Sequence, residues 1–407
     1  MFRFIYSMAH SRMGASRQTL VFLPFIMITW KPLNRLPSPL ELVRQFTPNW
    51  FTVNMGTGIT FLLLAQFPEP IAGLHALAYG LFLVDAALFA LFAALFAARW
   101  LFFTADALPL LRHPVQSMFL GAIPMALIPL VNGLVLFHPQ SAAAAQVATQ
   151  LWWIDVGLSL LTGWLVPWYQ FTAQDHSLER MTGVWLLPVV PAEVAASSAG
   201  FLAQHLPAAQ AQPLVVAGYA LWGMSVPIAL GILTVLYLRL ALHKLPPKEL
   251  GVSTWLSLGP IGTGAFALLT LGAAAPQAFH GTVMAPVAAL AGPLGVIGAL
   301  VLWGLGLWWL VTAVALTAIQ VRRGLPFNLG WWGFTFPLGV YATASLTLGL
   351  RTGMPFFTAF AAMLIVALVG VWTVVAARSA HGLWHGHLVQ APCLQAKAQA
   401  PAGTQTA

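Results

Sequence analysis

The sequence is poor in charge. Of 407 residues, 17 are Lys or Arg and 9 are Asp or Glu, 6% in all, whereas a soluble domain carries about 25%. A water-soluble fold of this length could not cover its surface with so few charges. The single cysteine, Cys393, lies in a polar tail, which excludes an internal disulfide and a cysteine-based metal site. There is no HExxH, no GxSxG and no clustered set of acidic metal ligands, so the usual hydrolase signatures are missing. His75 sits near the edge of an apolar run with no second histidine deep in another, which argues against a bis-histidine haem. These absences speak against an enzyme or redox protein and imply neither cofactor nor metal. His381, His385 and His387 have a metal-like spacing, but they follow the last apolar run, where interfacial histidines are ordinary. No removable secretion signal stands out: Leu20–Trp30 is apolar but too short to span, and reads as an interfacial segment or an upstream extension from a misassigned start codon.

Long apolar runs are what the chain does have. Hydrophobic residues make up 59% of it. A helix needs about 20 mostly apolar residues to cross a hydrocarbon layer of roughly 30 Å. The runs are unalternated, so they read as helices and not as barrel strands. Ten transmembrane helices are expected, at about 51–67, 71–98, 118–137, 147–171, 183–204, 213–242, 254–275, 292–320, 328–349 and 354–377. All Lys and Arg except Arg351 fall in the two tails or in alternate connections, which puts both termini in the cytoplasm. The net charge of +8 is that topological signal and does not point to nucleic acid. Residues 1–45 are expected to be a tail, partly interfacial or disordered, and 381–407 a disordered one, flanking a membrane domain at 46–380.

The spans pair into five hairpins. Proline concentrates in the odd ones, with Pro124 and Pro129 in the third, Pro188 and Pro191 in the fifth, Pro260 in the seventh and Pro337 in the ninth, while the first has Gly56 and Gly58. Proline frees backbone groups and kinks a helix, and such backbone is tolerated in a membrane where it lines a wet cavity. The pattern therefore predicts an all-α integral membrane fold in which kinked odd helices form an inner ring around a central pore. Prolines are also commoner in membrane helices generally.

Several segments carry a resemblance. Phe46–Ile59 (FTPNWFTVNMGTGI), His113-Pro114 with Phe119 and Pro124-Met125, Trp185–Pro191 (WLLPVVP), Leu258-Gly259-Pro260 with Gly262, and Trp331–Pro337 (WWGFTFP) occur in order in the odd helices or just before them. Together they resemble the tellurite-resistance/dicarboxylate transporter family, which includes fungal malate permeases and sulfite exporters, bacterial tellurite-resistance channel homologues and plant slow anion channels. The resemblance covers residues 46 to about 380. It implies five hairpins around a pore, a homotrimer, and an aromatic gate on the ninth helix. Phe336 matches the gate position, with Phe334 as the fallback. A phenyl ring in a narrow apolar constriction blocks ions sterically and by dewetting; the alternative is a packing aromatic.

The other candidates divide between function and packing. No Lys or Arg lies mid-span, so anions must be attracted by basic residues at the mouth and by the positive ends of broken helices. Gly56, Thr57 and Gly58 are candidates for direct anion contact, or else a close helix-packing surface; Pro124, Pro188, Pro260 and Pro337 are expected along the pore. Glu193, mid-span beside Pro191, is a candidate for proton coupling or for a buried structural acid. Asp85 and Asp155 are expected to pair structurally, and His113 to organise a loop. The expected function is transport of small anions (malate, succinate, sulfite, chloride or nitrate) across a bacterial inner membrane. A proton-coupled carrier and a passive gated channel both remain open.

Overall fold

The computed structural model describes Leu33, residues 36–389 and residues 391–394. The tail expected at 1–45 and the segment Leu20–Trp30 fall wholly or mostly outside those residues. Among the described residues all regular structure is helical. Besides three helices of four or five residues, ten longer ones follow one another among the described residues: α1 (Phe51–Ala65), α2 (Leu74–Phe102), α3 (Ala122–Phe137), α4 (Ala142–Thr172), α5 (Pro191–Ala203), α6 (Ala208–His243), α7 (Leu258–Ala278), α8 (Ala285–Arg322), α9 (Thr335–Thr352) and α10 (Pro355–Trp384). Counted with the short turns that lead into them, 7 helical segments of the described residues are long and apolar enough to cross a membrane. The expected ten is not reached because α1 has 15 residues and α5 has 13, and because α4, though long, carries Asp155 within its run.

Odd and even helices differ in burial. The most apolar stretches of α3, α7 and α9, with their lead-in turns, are 78–83% buried, whereas those of α2, α6, α8 and α10 are 17–39% buried. In α1 every residue but Ala65 is buried, and in α5 every residue but Phe201. The even helices show Leu, Val, Ile and Trp outward, as lipid-facing surfaces do. Each odd helix packs on the next, and the series closes: α1 on α3, α3 on α5, α5 on α7, α7 on α9, and α9 on α1.

Every odd helix is introduced by a 3₁₀ turn, its collar: Pro48–Trp50, Ser117–Gly121, Gly183–Leu186, Lys248–Ser257 and Leu329–Phe334. The collars also touch in a closed series. Local chemistry starts them: Pro48 presets φ in the first, while Thr182 and Asn328 accept the amides of Val184 and Gly330 in the third and fifth, the work of an N-cap. This arrangement corrects the expected kinks. Pro124, Pro191, Pro260 and Pro337 stand in the first turn of their helices, where a missing N–H costs nothing. Interior prolines are Pro129 and Pro276 in odd helices, but Pro167, Pro213, Pro227 and Pro293 in even ones.

Polar clamps join the two layers. Asn54 of α1 donates to the Asp85 carboxylate of α2 at 2.9 Å. Trp152 of α4 donates to Ala195 O of α5, Trp222 of α6 to Gly264 O of α7, and Trp303 of α8 to Ser345 of α9. Trp372 of α10 completes the set by donating to Thr57 of α1 at 3.1 Å.

The stretch after 381 is not disordered as expected, at least to Leu394. α10 runs to Trp384, and Val389, Ala391 and Cys393 are buried. Arg99, itself buried, draws this end onto the start of the domain: its guanidinium donates to Phe46 O at 2.6 Å and lies 3.5 Å from Cys393 Sγ. The Leu33 amide donates to Trp384 O, and the Ala391 amide to Gln45 Oε1. Apolar residues inside a polar-looking tail supply the reason.

Candidate functional site

Two cavities lie among the odd helices. The wider one, of about 390 Å³, is bounded by the collars and by the first turns that follow them, through Asn49, Met55, Gln116, Val190, Ser253 and Trp332 among others. The narrower one, of about 40 Å³, is bounded by residues further along the same five helices: Leu62 of α1, Asn132 of α3, Ser197 of α5, Thr263 of α7 and Thr343 of α9. One side chain borders both. Phe336, 4% exposed, sits between them.

Phe336 is the second residue of α9, so its position is set by the collar Leu329–Phe334 and by Pro337, which borders the wide cavity. Phe334, the fallback, borders neither cavity; it packs between Trp255 and Trp331 at 5.3 and 5.7 Å between ring centres. The choice between the two rings is therefore decided by where they point.

No Lys or Arg borders either cavity among the described residues; His387 lines the wide one and Glu249 stands exposed at its rim. The field there comes from helix ends instead. All five odd helices start at the wide cavity, and each N-terminus carries about half a positive elementary charge. His113 fixes one of the collars: its Nδ1 accepts the amides of Val115 and Gln116 at 3.2 and 3.1 Å. Burial pushes the His113 imidazole below its usual pKa, which suits a ring whose Nδ1 must stay unprotonated to accept.

The remaining expected site residues are placed elsewhere. Gly56 packs against Trp332 and Thr335, and Gly58 against Pro129 and Asp85, with no room for a Cβ at either. Thr57 is occupied by Trp372. Gly56, Thr57 and Gly58 are thus a helix-packing surface, and Met55 and Ile59 on either side of them meet the cavities, because the residues one turn apart on an α-helix share a face. Pro124, Pro188 and Pro260 border neither cavity, though Met125, Leu187 and Gly259 beside them do. Glu193 points away as well: it is fully buried and accepts from Ser225 of α6 at 3.2 Å. Asp85 and Asp155 make local hydrogen bonds, to Asn54 and Ser159, in line with the expected structural roles.

The residues that sequence reasoning missed are the polar ones of the collars, Asn49, Gln116, Ser253 and Asn328. Their signal was available: each precedes an aromatic residue by one to three positions and an odd helix by a few more.

Comparison with known proteins bears on the whole of this architecture. The sequence profile of the family SLAC1, voltage-dependent anion channel, matches residues 45–380. The sulfite efflux pump SSU1 of Trichophyton rubrum is 38% identical over 339 residues, covering 82% of this chain and 89% of the pump. An uncharacterized transporter of Methanocaldococcus jannaschii is 30% identical over 320 residues, covering 77% and 86%. The malic acid transport protein of Schizosaccharomyces pombe is 22% identical over 340 residues, covering 82% and 77%. These relatives are fungal and archaeal and give no support to a bacterial inner membrane in particular. With the family profile spanning the five collars, α1 to α9 and most of α10, this multi-pass membrane protein belongs to the SLAC1 family of voltage-dependent anion channels.

Proposed function

We propose that this chain conducts small anions, sulfite before C4-dicarboxylates, along a passage between the five odd helices that the Phe336 ring closes. The observation that carries the proposal is that, among the described residues, Phe336 alone borders both the wide and the narrow cavity. A ring at the junction of two apolar-walled spaces separates them sterically and by excluding water. Five converging helix N-termini give the wide cavity a potential that favours anions without a full positive charge that would trap them. The ring of five hairpins extends the closed packing of odd helices, with even helices outside. Sulfite is ranked first because the relative named as a sulfite pump is 38% identical and the one named for malic acid 22%. The homotrimer implied by the resemblance belongs to the same proposal, and crosslinking in native membranes measures it.

Glu193 bears on coupling. It borders neither cavity and is engaged by Ser225, so the proposal favours passive, gated flux without direct proton exchange between this carboxyl and the anion. The test uses purified protein in liposomes. Phe336→Ala is expected to raise sulfite flux at least tenfold, and an imposed pH gradient at constant anion gradient is expected to leave the wild-type rate unchanged. Flux through Phe336→Ala no larger than wild type rejects the gate.

A further inference from the structure

The outer layer carries a groove of its own. α6 and α8 both pack on α7, and between them lies a space of about 380 Å³, bounded by side chains from Leu230 to Tyr237 and from Leu305 to Trp309. Leu233 and Trp309 are buried and make its floor, while Tyr237 and Trp308 stand exposed on opposite sides with ring centres 5.9 Å apart. The hydroxyl of Thr234, on the same wall, is spent on Leu230 O. The walls therefore suit an apolar chain.

Cations gather at one end of this groove. Lys244 and Lys248 follow α6, Arg322 and Arg323 end α8, and all four are exposed. Gln320 of α8 donates to Pro246 O at 3.1 Å, which holds the two basic segments side by side. Elsewhere the cations are engaged: Arg44 pairs with Asp106 and Arg180 with Asp175, buried Arg99 donates to Phe46 O, and Arg378 lies over the rings of Phe327 and Trp331. Among the described residues, Lys244, Lys248, Arg322 and Arg323 make no ion pair. Glu249, the acid of that stretch, borders the wide cavity instead. Since an α-helix rises about 1.5 Å per residue, Tyr237 and Leu230 lie roughly 10 and 20 Å along α6 from Lys244. That is the depth of one leaflet in a hydrocarbon layer about 30 Å thick.

We propose that the groove between α6 and α8 is a binding site for an anionic phospholipid, with an acyl chain laid over Leu233 and Trp309 and the phosphate held by Lys248, Arg322 and Arg323. Two requirements meet here that a general lipid-facing surface does not combine. A concave apolar wall of one leaflet's depth orders a chain that a convex helix face leaves mobile, and the rings of Tyr237 and Trp308 grip it from the side. Basic residues gathered between membrane helices then recognise an anionic headgroup, and a guanidinium does so bidentately. A zwitterionic lipid fits the wall equally well, but its own cation meets theirs. The groove lies outside the ring of odd helices, so occupancy does not depend on the passage between them.

The experiment titrates full-length, delipidated protein in detergent with phosphatidylglycerol or with phosphatidylcholine of the same acyl chains, and counts bound lipid by native mass spectrometry. Phosphatidylglycerol is expected to fill one site per chain at a concentration at least tenfold lower than phosphatidylcholine. Arg322→Gln with Arg323→Gln is expected to bring the two lipids to within about threefold. Arg112→Gln with Arg180→Gln removes as many cations elsewhere and is expected to keep the tenfold preference. Thr234→Trp fills the groove and is expected to weaken the binding of both lipids at least threefold. Equal binding of the two lipids by wild type, or equal losses from the two arginine pairs, overturns the proposal. So does displacement of the lipid by glycerol 3-phosphate, which would make this a site for a free phosphate, or crosslinking of Thr234→Cys between two copies in native membranes, which would seat a second copy in the groove.

Discussion

The odd and even helices are built from similar residues and do different work. Both layers are rich in Leu, Ala, Val and Gly, yet the odd helices bury almost every residue and enclose two cavities, while the even ones turn large apolar side chains outward. Composition therefore does not separate them. What separates them is the collar, which every odd helix has and no even helix has. A 3₁₀ turn is tighter than an α-turn and advances further per residue, so it lets five chains converge at one end of the domain before the wider α-helices begin.

The largest expected effect tests whether function is confined to one ring on the inner layer. Phe336→Ala is expected to open the passage, whereas Phe334→Ala, two residues away and packed on Trp255 and Trp331, is expected to leave flux at the wild-type level while losing about 3–5 kcal/mol of stability, as core Phe truncations do. Anion flux and thermal unfolding in detergent read the two outcomes separately.

Next comes a pair of identical substitutions on opposite layers. A Cβ on Gly262 of α7 would stand 2.7 Å from the Tyr341 amide nitrogen of α9, while one on Gly231 of α6 would meet nothing within 4 Å. Gly262→Ala is expected to cost about 1–3 kcal/mol by overpacking, and Gly231→Ala to stabilise by up to about 1 kcal/mol through helix propensity. A shift of the same sign in both would erase the distinction.

The clamps between layers should follow. Asn54→Ala takes away a donor from the Asp85 carboxylate and is expected to cost about 1–3 kcal/mol, since it leaves a buried acceptor short of a partner. Trp372→Phe keeps the ring but loses the bond to Thr57, at about 1 kcal/mol. Unfolding midpoints measure both.

The smallest effect is one of pH. Because burial lowers the His113 pKa, the unfolded chain takes up a proton there first. The stabilisation is then complete above about 6.5, the unperturbed value, and is lost as pH falls from there through the lower folded value. Melting curves from pH 8 to pH 5 are expected to show a decline in wild type that is shallower in His113→Gln.

Much of this architecture was legible beforehand, and the residues say where legibility stopped. Each of the ten apolar runs overlaps a helix of 13 residues or more among the described residues, because apolar length is a strong signal that needs no partner, but 7 helical segments are long and apolar enough to cross a membrane. Phe336 was singled out by the resemblance, as the ring just before Pro337, and its side chain borders both cavities. The collars were not, because Trp185–Pro191 and Ser253–Pro260 are as apolar and aromatic as the helices they precede, and apolar periodicity cannot tell a tight turn from a wide one in a fully buried segment. The role of Gly56 and Gly58 stayed open between anion contact and helix packing for a related reason: glycine permits a ligand or a neighbouring helix to approach, and here Trp332, Thr335 and Pro129 take the space.

The clamp between Trp372 and Thr57 joins residues 315 positions apart, and α9 and α10 both pack on α1. The first of these ten helices to leave the ribosome therefore waits for the last. Until α10 is inserted, the flank of α1 that carries Thr57 has only lipid beside it, and the seam between first and last hairpins stands open along the bilayer. A chain interrupted anywhere before α10 is, on these contacts, an incomplete barrel of helices with a slit in its wall. Nascent protein of this kind is expected to need a holding factor in the membrane, or speed, to reach a sealed state.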